Sequence, residues 1–228
     1  MSASEATART LPSGEPRRLV VLRHGETDSN AAGIWQGQLD HELSERGHRQ
    51  AQAAARAITD LGPSRVVASD LRRALVTGQD VADACGVPVT TDERLREIHA
   101  GGWQGLTGEQ VREQYPEAAE RLLTGEDFRR GGTGETVAEV ATRARAVVDE
   151  VIAGMGEGEC VVLATHGVTA RTLVVDLVGL DQGLAWRVLG GLRNCHWAVL
   201  EERSTGWRLA TWNVGPGEDT LPPAGSTA

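Results

Sequence analysis

At 228 residues with a hydrophobic fraction of 40%, the chain fits one large domain or one domain carrying an embedded insertion. A net charge of −9 and a pI near 5.2 disfavour nucleic acid and anionic membrane surfaces as partners. All 23 basic residues are arginine, so any anion site must be built from guanidinium groups, histidines and backbone N–H groups.

Residues 1–16 are small and polar and lack the apolar stretch of a signal peptide, and no run in the chain approaches a membrane span. The expectation is a flexible tail on a soluble, cytoplasmic protein, with a second tail over 215–228 and a single ordered domain over 17–214. The run RLVVLR at 18–23 is a buried strand that opens onto His-Gly-Glu. An alanine-rich helix follows, with Ser44 as N-cap and a stop near Gly62. RVVASD (65–70) is a second strand, a helix covers 71–84, and VPVTTD supplies a third short strand. About 104–134 reads as short helices and Gly-rich loops, with Thr107 and Gln110 spaced as a capping box, and this insertion is expected to act as a lid. CVVLATHG (160–167) is a fourth apolar strand opening onto His-Gly, and TARTLVVDLVG continues as a helix. CHWAVLEE and GWRLATWNV alternate and are split by a turn, so they form a hairpin or the last two strands. The predicted class is α/β: a mostly parallel central sheet with helices on both faces.

Cys85, Cys160 and Cys195 are odd in number, far apart and without zinc spacing, which predicts reduced thiols packed in the interior.

Ligand sites of open parallel sheets lie beyond the carboxyl ends of the strands. Here those ends carry Arg23-His24-Gly25-Glu26, Ser69-Asp70-Leu71-Arg72-Arg73 and Thr165-His166-Gly167. If the strands are neighbours, two histidines and at least two arginines meet in one pocket. Such converging positive charge asks for a dianion, and phosphate is the common one.

The motifs LRHGETDSN (22–30), SDLRRA (69–74), LREIHAGGWQG (95–105), GGTGET (131–136) and ATHG (164–167) resemble, in their order, those of the histidine phosphatase superfamily with the phosphoglycerate mutase-like fold. Within it the chain is most similar to actinobacterial glucosyl-3-phosphoglycerate phosphatases. The resemblance implies a metal-independent phosphomonoester hydrolase, with no cofactor, that works through a phosphohistidine on His24. A small-molecule phosphate ester would be its partner, a glucosyl-phosphoglycerate or a similar small anion.

A histidine that attacks phosphorus must be neutral, with one ring nitrogen as a lone pair and the other fixed on a backbone carbonyl. Arg23 and Arg73 would clamp the non-bridging oxygens, since a guanidinium offers paired donors and permanent charge. On a helix adjacent residues point about 100° apart, so only one of Arg72 and Arg73 faces the pocket; the family pattern Leu-x-Arg-Ala selects Arg73. His166 would donate to the same phosphate, with Gly167 beside it. The resemblance places Asn30 and Gln36 near the leaving oxygen and the acyl or sugar side, and Glu97 as the acid/base, with Glu26 as a structural rival. Arg129, Arg130 and His99 are candidates to meet a glycerate carboxylate. His41, His48 and His196 have no matching context and are expected to be structural. No metal-ligand spacing is present, and the arginines replace what a metal would do.

Two other readings remain open. A mutase would share both histidines, but cofactor-dependent mutases follow their acid with Arg-His-Tyr-Gly, where this chain has Ile98, His99 and Ala100, and they carry a longer insertion. A non-catalytic phosphate-binding module would commonly lack the nucleophile or the acid, and both are present. The apolar strands near 195–213 are expected to form a sheet edge that pairs in a homodimer.

Overall fold

A computed structural model describes residues 14–216, so the expected tails, 1–16 and 215–228, fall for the most part outside the described residues. The strands are β1 (Arg18–Arg23), β2 (Arg65–Ala68), β3 (Val89–Thr91), β4 (Cys160–Thr165), β5 (Trp197–Arg203) and β6 (Gly206–Val214). They form one sheet in the order β3-β2-β4-β1-β5-β6. The first four are mutually parallel, whereas β5 runs antiparallel to β1 and β6 antiparallel to β5. This is the mostly parallel sheet and terminal hairpin that the apolar runs predict.

Strand β1 shows how the sequence divides two cores. Leu19 and Val21 face one side, against Val147 and Val148 of helix α6 (Val137–Ala153) and Leu173 of α7 (Gly167–Leu177). Val20 and Leu22 face the other, against Ala51, Ala54 and Ile58 of α2 (Glu45–Ile58) and Val81 of α3 (Arg72–Cys85). An apolar residue at every position of a strand is what a sheet covered on both faces requires. Helix α2 ends at Ile58, earlier than expected, and a short 3-10 turn leads to Gly62, whose φ of 60° is the left-handed stop.

Helix α6 was not anticipated. Thr136 and Glu139 make a reciprocal capping box at its start, a signal present in the sequence. The four-residue helix α1 (Asp28–Ala31) was not anticipated either.

The insertion carries α4 (Gly108–Gln114) and α5 (Pro116–Thr124) over a small third core of Trp103, Val111 and Phe128. A bridge between Ile34 and Thr107 ties it to the loop after α1, and α5 touches α8 (Gln182–Val188). Among the described residues no helix is long and apolar enough to cross a membrane.

Candidate active site

Three parallel strands, β2, β4 and β1, lie side by side, and their carboxyl ends come level. Arg23 pairs with Thr165 across β1 and β4, and Ala68 with Ala164 across β2 and β4. The ladder continues one residue further, with His24 N–H donating to the Thr165 carbonyl and Ser69 N–H to that of Ala164. His24, His166 and Ser69 are thereby adjacent. The two imidazoles stand with ring centroids 5.2 Å apart, and His166 Nε2 lies 2.8 Å from the Ser69 hydroxyl.

His24 is buried, and its Nδ1 is 2.6 Å from the Gly25 carbonyl. A carbonyl only accepts, so Nδ1 carries the proton and Nε2 presents its lone pair. Burial pushes the His24 pKa well below its ordinary value, and the Arg73 and Arg23 charges push the same way against the Gly25 hydrogen bond. His166 is fully buried and is lowered for the same reasons. The Ser69 oxygen accepts from Leu71 N–H, so its own proton is available to His166 Nε2. Nδ1 of His166 is buried and has no protein partner.

Arg73 is 1% exposed, while Arg72 is an exposed residue paired with Asp40 and Glu42. The helical phase of α3 makes the distinction that the spacing argument requires. Arg73 donates from its two terminal nitrogens to the Leu39 and Gly37 carbonyls at 2.7 and 2.8 Å, which pins the loop that carries Gln36. Its Nε has no protein partner, nor has that of Arg23, whose Nη1 donates to the Leu192 carbonyl. Burial lowers Arg73 to about 10, opposed by the Glu97 and Asp40 charges, so it stays cationic at neutral pH. Gln36 is buried, with its carbonyl oxygen unpartnered.

Asn30 is the third residue of α1, where its side-chain oxygen closes the capping box with Thr27. The same oxygen accepts from Asn194 Nδ2, which also donates to the His24 carbonyl at 3.0 Å. Asn194 therefore joins the histidine and the asparagine, a contact between residues more than 160 positions apart that no local pattern signals. The next residue, Cys195, holds a left-handed φ of 55° and donates its N–H to the Arg23 and His24 carbonyls. Such a conformation is unfavourable for a non-glycine residue and is held there by its surroundings. The three cysteines are free, with Cys160 and Cys195 buried as expected and Cys85 partly so.

The Glu97 carboxylate sits at the N-terminus of α7. One oxygen accepts from Ile98 N–H, Thr169 N–H and the Thr169 hydroxyl, and the other from Val168 N–H. Arg143 on α6 donates to the carbonyls of Arg94, Arg96 and Glu97 and pairs with Glu135 at 2.8 Å, so it fixes the backbone that carries Glu97. Arg96 is tied to Asp70 at the end of β2. Glu26 is engaged elsewhere, accepting from Ser44 and Arg46 at the start of α2. Gly167 opens α7 against the Arg23 guanidinium, 3.5 Å from where a Cβ would stand. His41 meets the Ser29 hydroxyl and His196 the Asn194 carbonyl. His99 is bonded through its backbone to Glu135. Among the described residues no group of three or more His, Cys, Asp or Glu is placed to hold a metal ion. The site thus unites residues 23, 24, 30, 73, 97, 166 and 167, with Gln36 on the adjoining loop. Ser69, Arg143 and Asn194 are the members that the sequence did not single out.

Such a site, with a neutral imidazole inside a ring of buried cations, suits a phosphoryl group. The family model of the histidine phosphatase superfamily (branch 1) matches residues 19–215. The chain is 41% identical over 216 residues to a glucosyl-3-phosphoglycerate phosphatase of Mycolicibacterium vanbaalenii, covering 87% of this chain and 95% of that protein. It is 32% identical over 197 residues to a probable phosphoglycerate mutase, GpmB, of Erwinia tasmaniensis, covering 86% and 90%. A solved structure of a mycobacterial glucosyl-3-phosphoglycerate phosphatase with VO3 superposes with a TM-score of 0.81 at 40% identity, covering 87% of this chain and 100% of that one. With the family model matched over residues 19–215 and a relative 41% identical over most of its length, the chain belongs to the histidine phosphatase superfamily.

Proposed function

We propose that this chain is a metal-independent phosphomonoester hydrolase whose substrate is glucosyl-3-phosphoglycerate. One observation carries the reading: the Nδ1 of His24 is held by the Gly25 carbonyl, and its buried ring stands beside His166 and within reach of the Arg73 and Arg23 charges, which favour the neutral imidazole. Nε2 attacks phosphorus, the P–O ester bond breaks, and Glu97 gives its proton to the departing alkoxide oxygen. Water then attacks phosphorus while Glu97 takes a proton from the water, the P–Nε2 bond breaks, and inorganic phosphate leaves. Arg23, Arg73, His166 and the Gly167 N–H hold the equatorial oxygens as charge spreads over them. Asn30 and Gln36 flank the leaving oxygen.

The substrate assignment rests on the relatives at 41% identity, which carry that activity in their name. The experiment is phosphate release by the purified protein in the presence of a chelator, on glucosyl-3-phosphoglycerate and on free 3-phosphoglycerate. Faster release from the glucosylated ester is expected. Equal or reversed rates defeat the substrate, and loss of all activity in chelator defeats the metal-free chemistry.

The GpmB relatives raise the mutase reading. Ile98 and Ala100, where mutases carry Arg and Tyr, argue against it, and the absence of phosphoglycerate isomerisation is the expected result. We also assign the chain to a reducing cytoplasm, on its three free cysteines, and to a homodimer through β6, the last strand of the sheet. Light scattering on the purified protein tests the dimer.

A further inference from the structure

Beyond the phosphate site, on the Glu97 side, a second group of cations is packed together. Arg171 lies one turn after Gly167 on the same face of α7. Helical side chains lean toward the N-terminus, so its guanidinium reaches back to the level of the pocket. Two observations agree with that placement. Arg171 Nη1 donates to the Leu189 carbonyl, in the loop whose Leu192 carbonyl receives Arg23. Arg171 also feels the charge of Glu97, as Arg23 and Arg73 do.

The guanidinium of Arg171 lies 3.5 Å from the centroid of the Trp186 ring, and Arg130 approaches the same indole at 5.7 Å. Arg130 is 2% exposed and also stacks on Phe128 at 4.2 Å. Its nearest carboxylate, Asp127, is 3.9 Å away, too far for a hydrogen bond. Arg171 Nε is buried without a partner. Burial lowers each arginine to about 10, and each feels the other's charge or that of a neighbouring arginine. Two like charges held on one indole, with an unused donor and little countercharge, are unfavourable until an anion joins them.

We propose that Arg171 and Arg130, stacked on Trp186, form a second anion subsite that takes a carboxylate of the phosphate ester. The substrate class is then a phosphate monoester that carries a carboxylate, with the phosphate on Arg23 and Arg73 and the carboxylate on Arg171. The inference rests on the phosphatase reading above and deepens it. It assigns to Arg171 a selective role that Arg129 and His99 do not share, since Arg129 is engaged by Glu139 at the surface.

The test compares 3-phosphoglycerate, its carboxyl methyl ester and p-nitrophenyl phosphate on the wild type and on Arg171→Met. Losing one charge-assisted contact is expected to raise the wild-type KM of the methyl ester about tenfold over that of the acid. In Arg171→Met that ratio should fall toward one, because the group that senses the carboxylate is gone. A ratio near one in the wild type, or an equal ratio in both proteins, overturns the subsite. If p-nitrophenyl phosphate is not hydrolysed either, the phosphatase reading is what fails, and equilibrium binding of the acid and its methyl ester still decides the subsite. Should Arg171→Met fold poorly, Arg130→Gln reads the same ratio.

Discussion

The proposed nucleophile, His24, is held by one hydrogen bond. With Nδ1 held by Gly25 and the ring buried beside two guanidinium groups, His24 stays neutral at a pH where a free histidine is partly charged. Replacing it by alanine is expected to lower phosphate release by more than about a thousandfold, as removal of a covalent nucleophile does. Glu97→Gln should slow turnover and let radiolabelled phosphoenzyme accumulate; a glutamine variant at full rate would assign the proton transfers to another carboxylate. Asn194 never needs to touch substrate, yet it sets the orientation of Asn30 and the carbonyl of His24. Asn194→Ala is expected to reduce kcat by up to about a hundredfold through misplacement, with a far-ultraviolet circular dichroism spectrum like that of the wild type. Local sequence did not expose Asn194, Ser69 or Arg143, because the site groups they hold, His24, His166 and the Glu97 backbone, lie 170, 97 and 46 positions away from them along the chain. His24, Arg23 and His166 were legible, because each stands at the end of an apolar run.

Among the elements, the loop after β1 and the first turn of α2 approach so closely that only glycine fits. A Cβ on Gly47 would lie 2.0 Å from the Glu26 carbonyl oxygen, and one on Gly25 would lie 2.5 Å from the Gly47 carbonyl oxygen. Backbone faces backbone there, so neither side can yield by rotating a side chain. Gly47→Ala is expected to destabilise the fold by about 1–3 kcal/mol, the usual cost of overpacking, and denaturant titration measures it. Helix α6 makes the complementary point. Its capping box was readable from Thr136 and Glu139, whereas Arg143's reach across to three carbonyls before the acid was not. In the sequence the glycines of the 131–134 segment read as a loop within a family motif; in the structure a Cβ on Gly134 would meet the His99 carbonyl oxygen at 2.1 Å. Their meaning lies in a backbone packed against the segment that carries Glu97.

At the scale of the whole molecule, burying two neutral imidazoles couples stability to pH. His24 and His166 both titrate well below 6.5 when folded. Below the unfolded value the unfolded chain binds protons that the native state refuses, so this stability is complete above about 6.5 and is lost as pH falls. Between about pH 7.5 and 5.5 the unfolding free energy is therefore expected to drop. A bound phosphate dianion favours the charged imidazole, so added phosphate should shrink the drop. Chemical denaturation at the two pH values, with and without phosphate, checks both statements.

Apolar runs of strand length, helix caps and His-Gly at two strand ends determined the α/β class and the identity of the phosphate pocket from sequence alone. Those signals suffice because burial on both faces of a sheet and capping of a helix are local demands on residue type. Of the pair at 72–73 the family pattern had already selected Arg73, and the phase of a helix against its sheet is the reason that it points inward. What holds the histidine and the acid in place, and which further arginines stack beside them, came only from the packed chain. Hydrogen bonds and charge neighbours between distant segments depend on where the sheet brings those segments, and residue order along the chain carries no record of that distance.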